Sequence, residues 1–70
     1  TIKLNQMENN VIKLMQAMGG IVEESEMNAT KFAEGNKSAG TRLRKNMQDL
    51  KQFAQDVRIE VQEQKNSVMA

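Results

Sequence analysis

The residues with the clearest chemical potential are five cations that recur at every seventh position. This basic column consists of Lys37, Arg44, Lys51, Arg58 and Lys65. Residues seven apart lie on one side of an α-helix, so the column predicts a positive stripe ~42 Å long at ~1.5 Å per residue. Such a stripe can contact a polyanion. It can also pair with acids of a partner helix beside a coiled-coil seam, and the spacing alone leaves both interpretations open.

A second group of cations lies at the centre of the chain. The segment 37–45 contains four cations and no acid. Positive charge at the start of a helix opposes the helix dipole, which suggests that these side chains act on something outside the helix. The candidate nucleic-acid-binding residues are Lys37, Arg42, Arg44, Lys45, Lys51 and Arg58.

Composition argues against most other chemistry. The 70-residue chain contains no Cys, no His and only two aromatic residues, both Phe. Because Cys and His supply most zinc ligands, thiol nucleophiles and imidazole bases, we expect no enzyme, no cofactor, no metal and no small-molecule substrate. No stretch is long and apolar enough for a membrane span, so we expect a soluble, cytoplasmic chain without membrane contact.

Charge is distributed unevenly around a net value of +1. Residues 1–35 contain three Lys and five Glu, whereas residues 36–70 contain seven Lys or Arg and four acids. The asymmetry suggests an anion-facing element paired with an acidic one.

Apolar residues at alternating spacings of three and four predict two helices with a heptad seam. The predicted seam of the first helix is Leu4, Met7, Val11, Leu14, Met18, Ile21 and Phe32, interrupted by Ser25 and Asn28. The predicted seam of the second helix is Leu43, Met47, Leu50, Ala54, Val57, Val61 and Val68, interrupted by Gln64. We expect a single domain over residues 1–70, with helices at about 2–33 and about 41–67.

The segment 34–40 predicts a turn between the helices. Gly35 can take the left-handed conformation that ends a helix, and Asn36 or Ser38 can accept the free amides of the next one. The fold class is therefore all-α, an antiparallel two-helix hairpin of coiled-coil type. Gly19 and Gly20 are a weaker interruption, and a continuous helix, a kink and a close helix contact all remain open.

A lone hairpin of this sequence would leave apolar surface in water. Two amphipathic helices bury one strip each, so we expect self-association, most simply a two-fold dimer that forms a four-helix bundle. The predicted oligomer interface consists of Val11, Met15, Met18, Val22, Met47, Leu50, Phe53 and Val57.

The turn also predicts which residues face each other across the hairpin. Residue numbers that add up to about 73 would be opposite, which sets Lys65 opposite Glu8 but Arg58 opposite Met15 and Lys51 opposite Val22. Most of the column therefore lacks an acidic partner within the hairpin. Its side chains would lay their aliphatic stems over apolar neighbours and extend their charged groups outward.

The centre of the chain resembles a known family. The pattern consists of Glu34-Gly35-Asn36-Lys37, then a small residue and Ala39, and then Arg42 and Arg44 separated by one residue. It is similar to a pattern of the bacterial linker-histone-like family known from chlamydiae and related bacteria. The resemblance covers roughly residues 27–66. It implies a DNA-associated protein that compacts the chromosome and self-associates through its helical part.

The resemblance also implies how DNA would be bound. The Lys-rich tail that is the family's strongest DNA-binding element does not appear in these 70 residues. We therefore expect weak, salt-sensitive contact with DNA phosphates without sequence preference, by a nucleoid-associated protein. The alternative is a purely structural coiled-coil component of a virion or another large assembly, whose cations pair with acids on neighbouring subunits and bind no nucleic acid.

Overall fold

Two helices packed side by side make up the fold. The computed structural model describes residues 9–69, with side chains described as far as Asn66. Helix α1 spans Asn10–Ala33 and helix α2 spans Lys37–Met69, and they form an antiparallel hairpin whose overall dimensions are 53 × 21 × 11 Å. The predicted all-α hairpin is confirmed. The part of the first helix predicted before Asn9, including Leu4 and Met7, lies outside the described residues.

Helix α1 begins at a polar cap and runs without a break. The Asn9 side chain accepts a hydrogen bond from the backbone N–H of Val11 at 2.8 Å, which satisfies one of the free amides at the helix start. Gly19 and Gly20 are both helical, and a Cβ added to either would meet no atom within 4 Å. Of the three possibilities for this glycine pair, the structure shows a continuous helix without a close contact to α2.

The turn is shorter than the predicted segment 34–40 because its two central residues close both helices at once. Gly35 has a φ of +107°, its N–H donates to the Phe32 carbonyl at 3.0 Å, and the Asn36 N–H donates to the Lys31 carbonyl at 3.0 Å. This pair of bonds is a Schellman motif. The Asn36 side chain then accepts from the Ala39 N–H at 3.1 Å, so α2 begins at Lys37.

The seam of α1 follows the predicted heptad as far as Asn28, whereas Phe32, its last predicted member, is 53% exposed. Val11, Leu14, Met18 and Ile21 are partly buried against α2. The two polar interruptions continue the same series and are the most buried residues of α1, with Ser25 only 7% exposed and Asn28 only 5% exposed. Polar side chains therefore occupy the tightest part of the helix interface.

The seam of α2 differs from the prediction. Its partly or fully buried series is Ala39, Leu43, Asn46, Leu50, Phe53, Val57, Glu60 and Gln64. Asn46, Phe53 and Glu60 take the places predicted for Met47, Ala54 and Val61, which are exposed instead. Met47 and Val61 are more apolar than Asn46 and Glu60, but Asn46 and Glu60 are hydrogen-bonded to Asn28 and Asn10 of α1.

The hairpin has very little closed core. Among the described residues, Ala39 is the one fully buried apolar residue, and no large side chain has an exposure below 2%. Eight large apolar side chains of the described chain are exposed by 38% or more. The described hairpin thus leaves much of its apolar surface in contact with solvent.

Candidate nucleic-acid interface

The basic column forms a continuous stripe on the outside of α2. Each of its last four members follows directly after a seam residue, for example Arg44 after Leu43 and Lys51 after Leu50. All five members are exposed, and α2 is unbroken from Lys37 to Met69. Helical continuity therefore keeps the positive groups in line along the length of the hairpin.

The column is not neutralised within the described part of the hairpin. Across residues 9–66, the one ion pair is between Lys45 Nζ and Asp49 Oδ1, at 2.7 Å. Lys45 does not belong to the column. The partner predicted for Lys65, Glu8, lies outside the described residues. The exposed ammonium and guanidinium groups of the column are thus available to an external anion.

Two of the six predicted nucleic-acid-binding residues have a different setting. Arg42 donates from Nε to the Asn28 Oδ1 at 3.1 Å, and Lys45 pairs with Asp49 one helical turn away. The structure therefore brings Lys37, Arg44, Lys51 and Arg58 together as one stripe and places Arg42 and Lys45 on the opposite flank of the α2 seam.

A chain of hydrogen bonds crosses the seam beside Arg42. The Arg42 Nε donates to Asn28, the Asn28 Nδ2 donates to the Asn46 Oδ1 at 2.9 Å, and the Asn46 Nδ2 donates to the Glu24 Oε2 at 2.7 Å. We call this chain the polar relay. Every buried side-chain nitrogen or oxygen in the described residues has a partner. The relay fixes which residues of α1 and α2 face each other.

Sequence reasoning missed the polar relay. In the predicted seams, Asn28 is an interruption of the α1 series and Asn46 is not a member of the α2 series. The signal was nevertheless present, because the predicted register sets Asn28 opposite a position next to Asn46. Two amides that face each other at a heptad seam often fix register at a cost in stability. A second pair at the open end, between Asn9 Nδ2 and Gln64 Oε1 at 2.8 Å, matches that register.

The residues predicted for the oligomer interface fall into two groups. Five of them are partly buried in the seam between α1 and α2, namely Val11, Met18, Leu50, Phe53 and Val57. The other three are on the outside, with Met15 54% exposed and both Val22 and Met47 45% exposed. This outer group is the more accessible of the two to another molecule.

Neither helix carries an apolar stretch that could cross a bilayer within residues 9–69. The fold and the surface define a small helical hairpin with a column of exposed cations along one helix. The family model described as histone H1-like protein Hc1 matches residues 9–67. The chain therefore belongs to the Hc1 family of histone H1-like proteins, a family of DNA-packaging structural proteins.

This membership confirms the resemblance noted at Gly35-Asn36-Lys37 and at the Arg42 and Arg44 pair. It also gives each part of that pattern a place in the structure. Gly35 and Asn36 form the turn, Lys37 and Arg44 belong to the column, and Arg42 joins the polar relay. No curated protein and no solved structure matches the chain significantly.

Proposed function

We propose that this histone-like protein binds DNA through phosphate contacts made by the basic column and compacts it by self-association of the hairpin. The observation that supports DNA contact most directly is the alignment of five exposed cations without a carboxylate partner among the described residues. At ~3.4 Å per base pair, a column ~42 Å long has the length of about 12 base pairs. The family's association with the nucleoid supports the same proposal.

The chemistry of the column favours phosphate over base edges. Arg guanidinium groups bind phosphate oxygens in a two-pronged manner and Lys ammonium groups bind them as point charges, and neither contact reads sequence. Arg and Lys can also pair with guanine edges, but successive cations of the column are ~10.5 Å apart along α2, about three base pairs, so they do not read adjacent bases. Binding is therefore expected to depend on salt and to be indifferent to sequence.

A salt titration tests the phosphate contacts. We expect the logarithm of the association constant for a random-sequence duplex to fall against the logarithm of salt concentration with a slope of about −4.5, which corresponds to about five phosphates. Fluorescence anisotropy of a labelled duplex measures this slope. A slope near zero, or no binding at low salt, would refute the proposal.

A matched pair of variants locates the contacts. Lys37→Gln with Lys51→Gln removes two column charges, and we expect the slope to become shallower by about 1.8. Lys13→Gln with Lys31→Gln removes the same charge from exposed positions of α1 and should leave the slope nearly unchanged. Equal effects of the two pairs would show that net charge, rather than the column, controls binding.

Self-association is supported by the sparse core. A hairpin with one fully buried apolar residue in its described part gains little hydrophobic stabilisation alone, and short chains commonly make up this deficit by oligomerising. A dimer carries two columns and can hold two stretches of duplex together, which is a route to compaction. Light-scattering mass against concentration measures this step independently of DNA.

A further inference from the structure

The exposed apolar side chains concentrate on one side of the hairpin. Five of the eight large ones fall at neighbouring heptad positions on this side, and we call them the outer apolar face: Ile12, Met15, Val22, Met47 and Val61. Their heptad positions are equivalent on the two antiparallel helices, and such positions share a side of the hairpin. A surface cleft of about 420 Å³ lined by Ile12, Val61 and Lys65 joins the two helices there.

Charge is divided across this face. On the α2 edge lies the basic column. On the α1 edge lie two exposed acids, Glu23 and Glu26, one of which takes the heptad position equivalent to that of the column. The face thus has an apolar centre, a positive edge and a negative edge, and a surface with opposite charges on its two edges is complementary to a rotated copy of itself.

We infer that the outer apolar face binds a second copy of this chain, with α1 of each copy lying on α2 of the other. This inference rests on the self-association proposed above and names its surface and arrangement. A two-fold axis parallel to the helices produces this arrangement. The other face-to-face arrangement, with a two-fold axis across the helices, would set column against column, and like charges in juxtaposition are costly.

The register of the hairpin identifies the pairs. Glu26 is level with Met47, and therefore between Arg44 and Lys51, while Glu23 is level with Lys51. Under a two-fold axis parallel to the helices these levels are kept, so the two acids of one copy face the two cations of the other. Gly19 lies on the same side, and the open space around its Cα lets the partner helix approach closely.

The arrangement has a consequence for DNA binding. In the dimer Arg44 and Lys51 pair with acids of the other copy, whereas Lys37, Arg58 and Lys65 stay open to phosphates on both copies. Salt should therefore weaken the dimer, and a dimer bound to DNA should show a salt slope shallower by about 1.8 than the slope for five contacts per chain.

Complementary charge reversal tests the arrangement. One variant combines Glu23→Lys and Glu26→Lys, and a second variant combines Arg44→Glu and Lys51→Glu. Sedimentation velocity and native mass spectrometry measure the self-association of each. Each variant alone should self-associate about tenfold or more weakly than the wild-type chain, because both copies of the contact become repulsive. An equimolar mixture should form a heterodimer of near wild-type affinity, because both contacts are again attractive.

The control variant reverses the same amount of charge away from the face. Asp56→Lys with Glu63→Lys changes two acids on the opposite flank of the α2 seam and should leave self-association nearly unchanged. Circular dichroism of each variant verifies helix content. Dimers that persist in the charge-reversed variants, or a mixture without selective pairing, would overturn the inference while the salt-dependent DNA binding stands. A wild-type chain that stays monomeric would instead overturn the self-association itself.

Discussion

Replacing Asn46 by Leu should destabilise the hairpin, although it puts an apolar side chain into an apolar heptad position. Asn46 is 4% exposed and accepts from the Asn28 Nδ2 at 2.9 Å. With Leu at this position, the Asn28 Nδ2 loses its acceptor while only 5% of that residue is exposed. A buried amide group left without a partner costs ~1–3 kcal/mol, and burial of the Leu side chain offsets part of this. We expect a net loss of ~1–2 kcal/mol.

The double variant with Asn28→Leu and Asn46→Leu separates this mechanism from simple sensitivity of the site. Both buried amides are then replaced by apolar groups, which is often neutral or stabilising. The Arg42 side chain is exposed, so water can satisfy the Nε that loses the Asn28 acceptor. We expect the double variant to be at least as stable as the wild-type chain, with a coupling energy between the two sites of ~1–3 kcal/mol.

Thermal unfolding followed by far-ultraviolet circular dichroism measures both effects, at one fixed protein concentration because association contributes to stability. For a chain of this size, 1 kcal/mol corresponds to a change in Tm of about 4–8 °C. If the double variant loses as much stability as the two single variants combined, the buried amides act independently. In that case the polar relay does not explain their position in the seam.

The remaining predictions concern glycines of the hairpin. Gly35→Ala should lower the Tm, because a φ of +107° strains a residue with a Cβ by ~1–2 kcal/mol. Gly20→Ala, in the open middle of α1, should instead increase the free energy of unfolding by ~0.5–1 kcal/mol. A Gly35→Ala variant that is more stable than the wild-type chain would contradict the observed turn. Gly40→Ala should also lower the Tm, because its Cβ would lie 2.6 Å from the Phe32 ring. Adding Phe32→Leu should recover most of the lost stability. If the double variant recovers nothing, the contact with Phe32 is not the cause of the loss.

The helical hairpin could be predicted from sequence because local signals agree. The absence of Pro, the heptad spacing and the Gly35-Asn36 pair all favour two helices and one reversal. The length of the turn could not be predicted as well. Several residues between Glu34 and Thr41 are suited to capping, and only the hydrogen bond from the Ala39 N–H to Asn36 shows that Asn36 is the cap of α2.

The side of α2 that faces α1 was predicted only in part, for a physical reason. Hydrophobicity favours Met47 over Asn46 and Val61 over Glu60 in the seam, and no local feature of α2 opposes this choice. The structure places Asn46 inside because Asn28 of α1 supplies a partner, which is information from another helix. The basic column was nevertheless predicted as one exposed stripe, because its spacing of seven residues does not depend on which neighbouring residue faces α1.

The polar seam and the outer surface are two results of the same choice. If Met47 and Val61 were in the seam, the hairpin would bury more apolar area and expose less of it. By placing Asn46 and Glu60 inside, the fold puts Met47 and Val61, which are 45% and 38% exposed, beside the basic column. The hairpin thus gives up hydrophobic stabilisation within one chain, and the apolar residues that it leaves outside are those that a second copy would cover. Selective pairing of the complementary charge variants would support this explanation, because that pairing requires the outer apolar face to be the surface that associates.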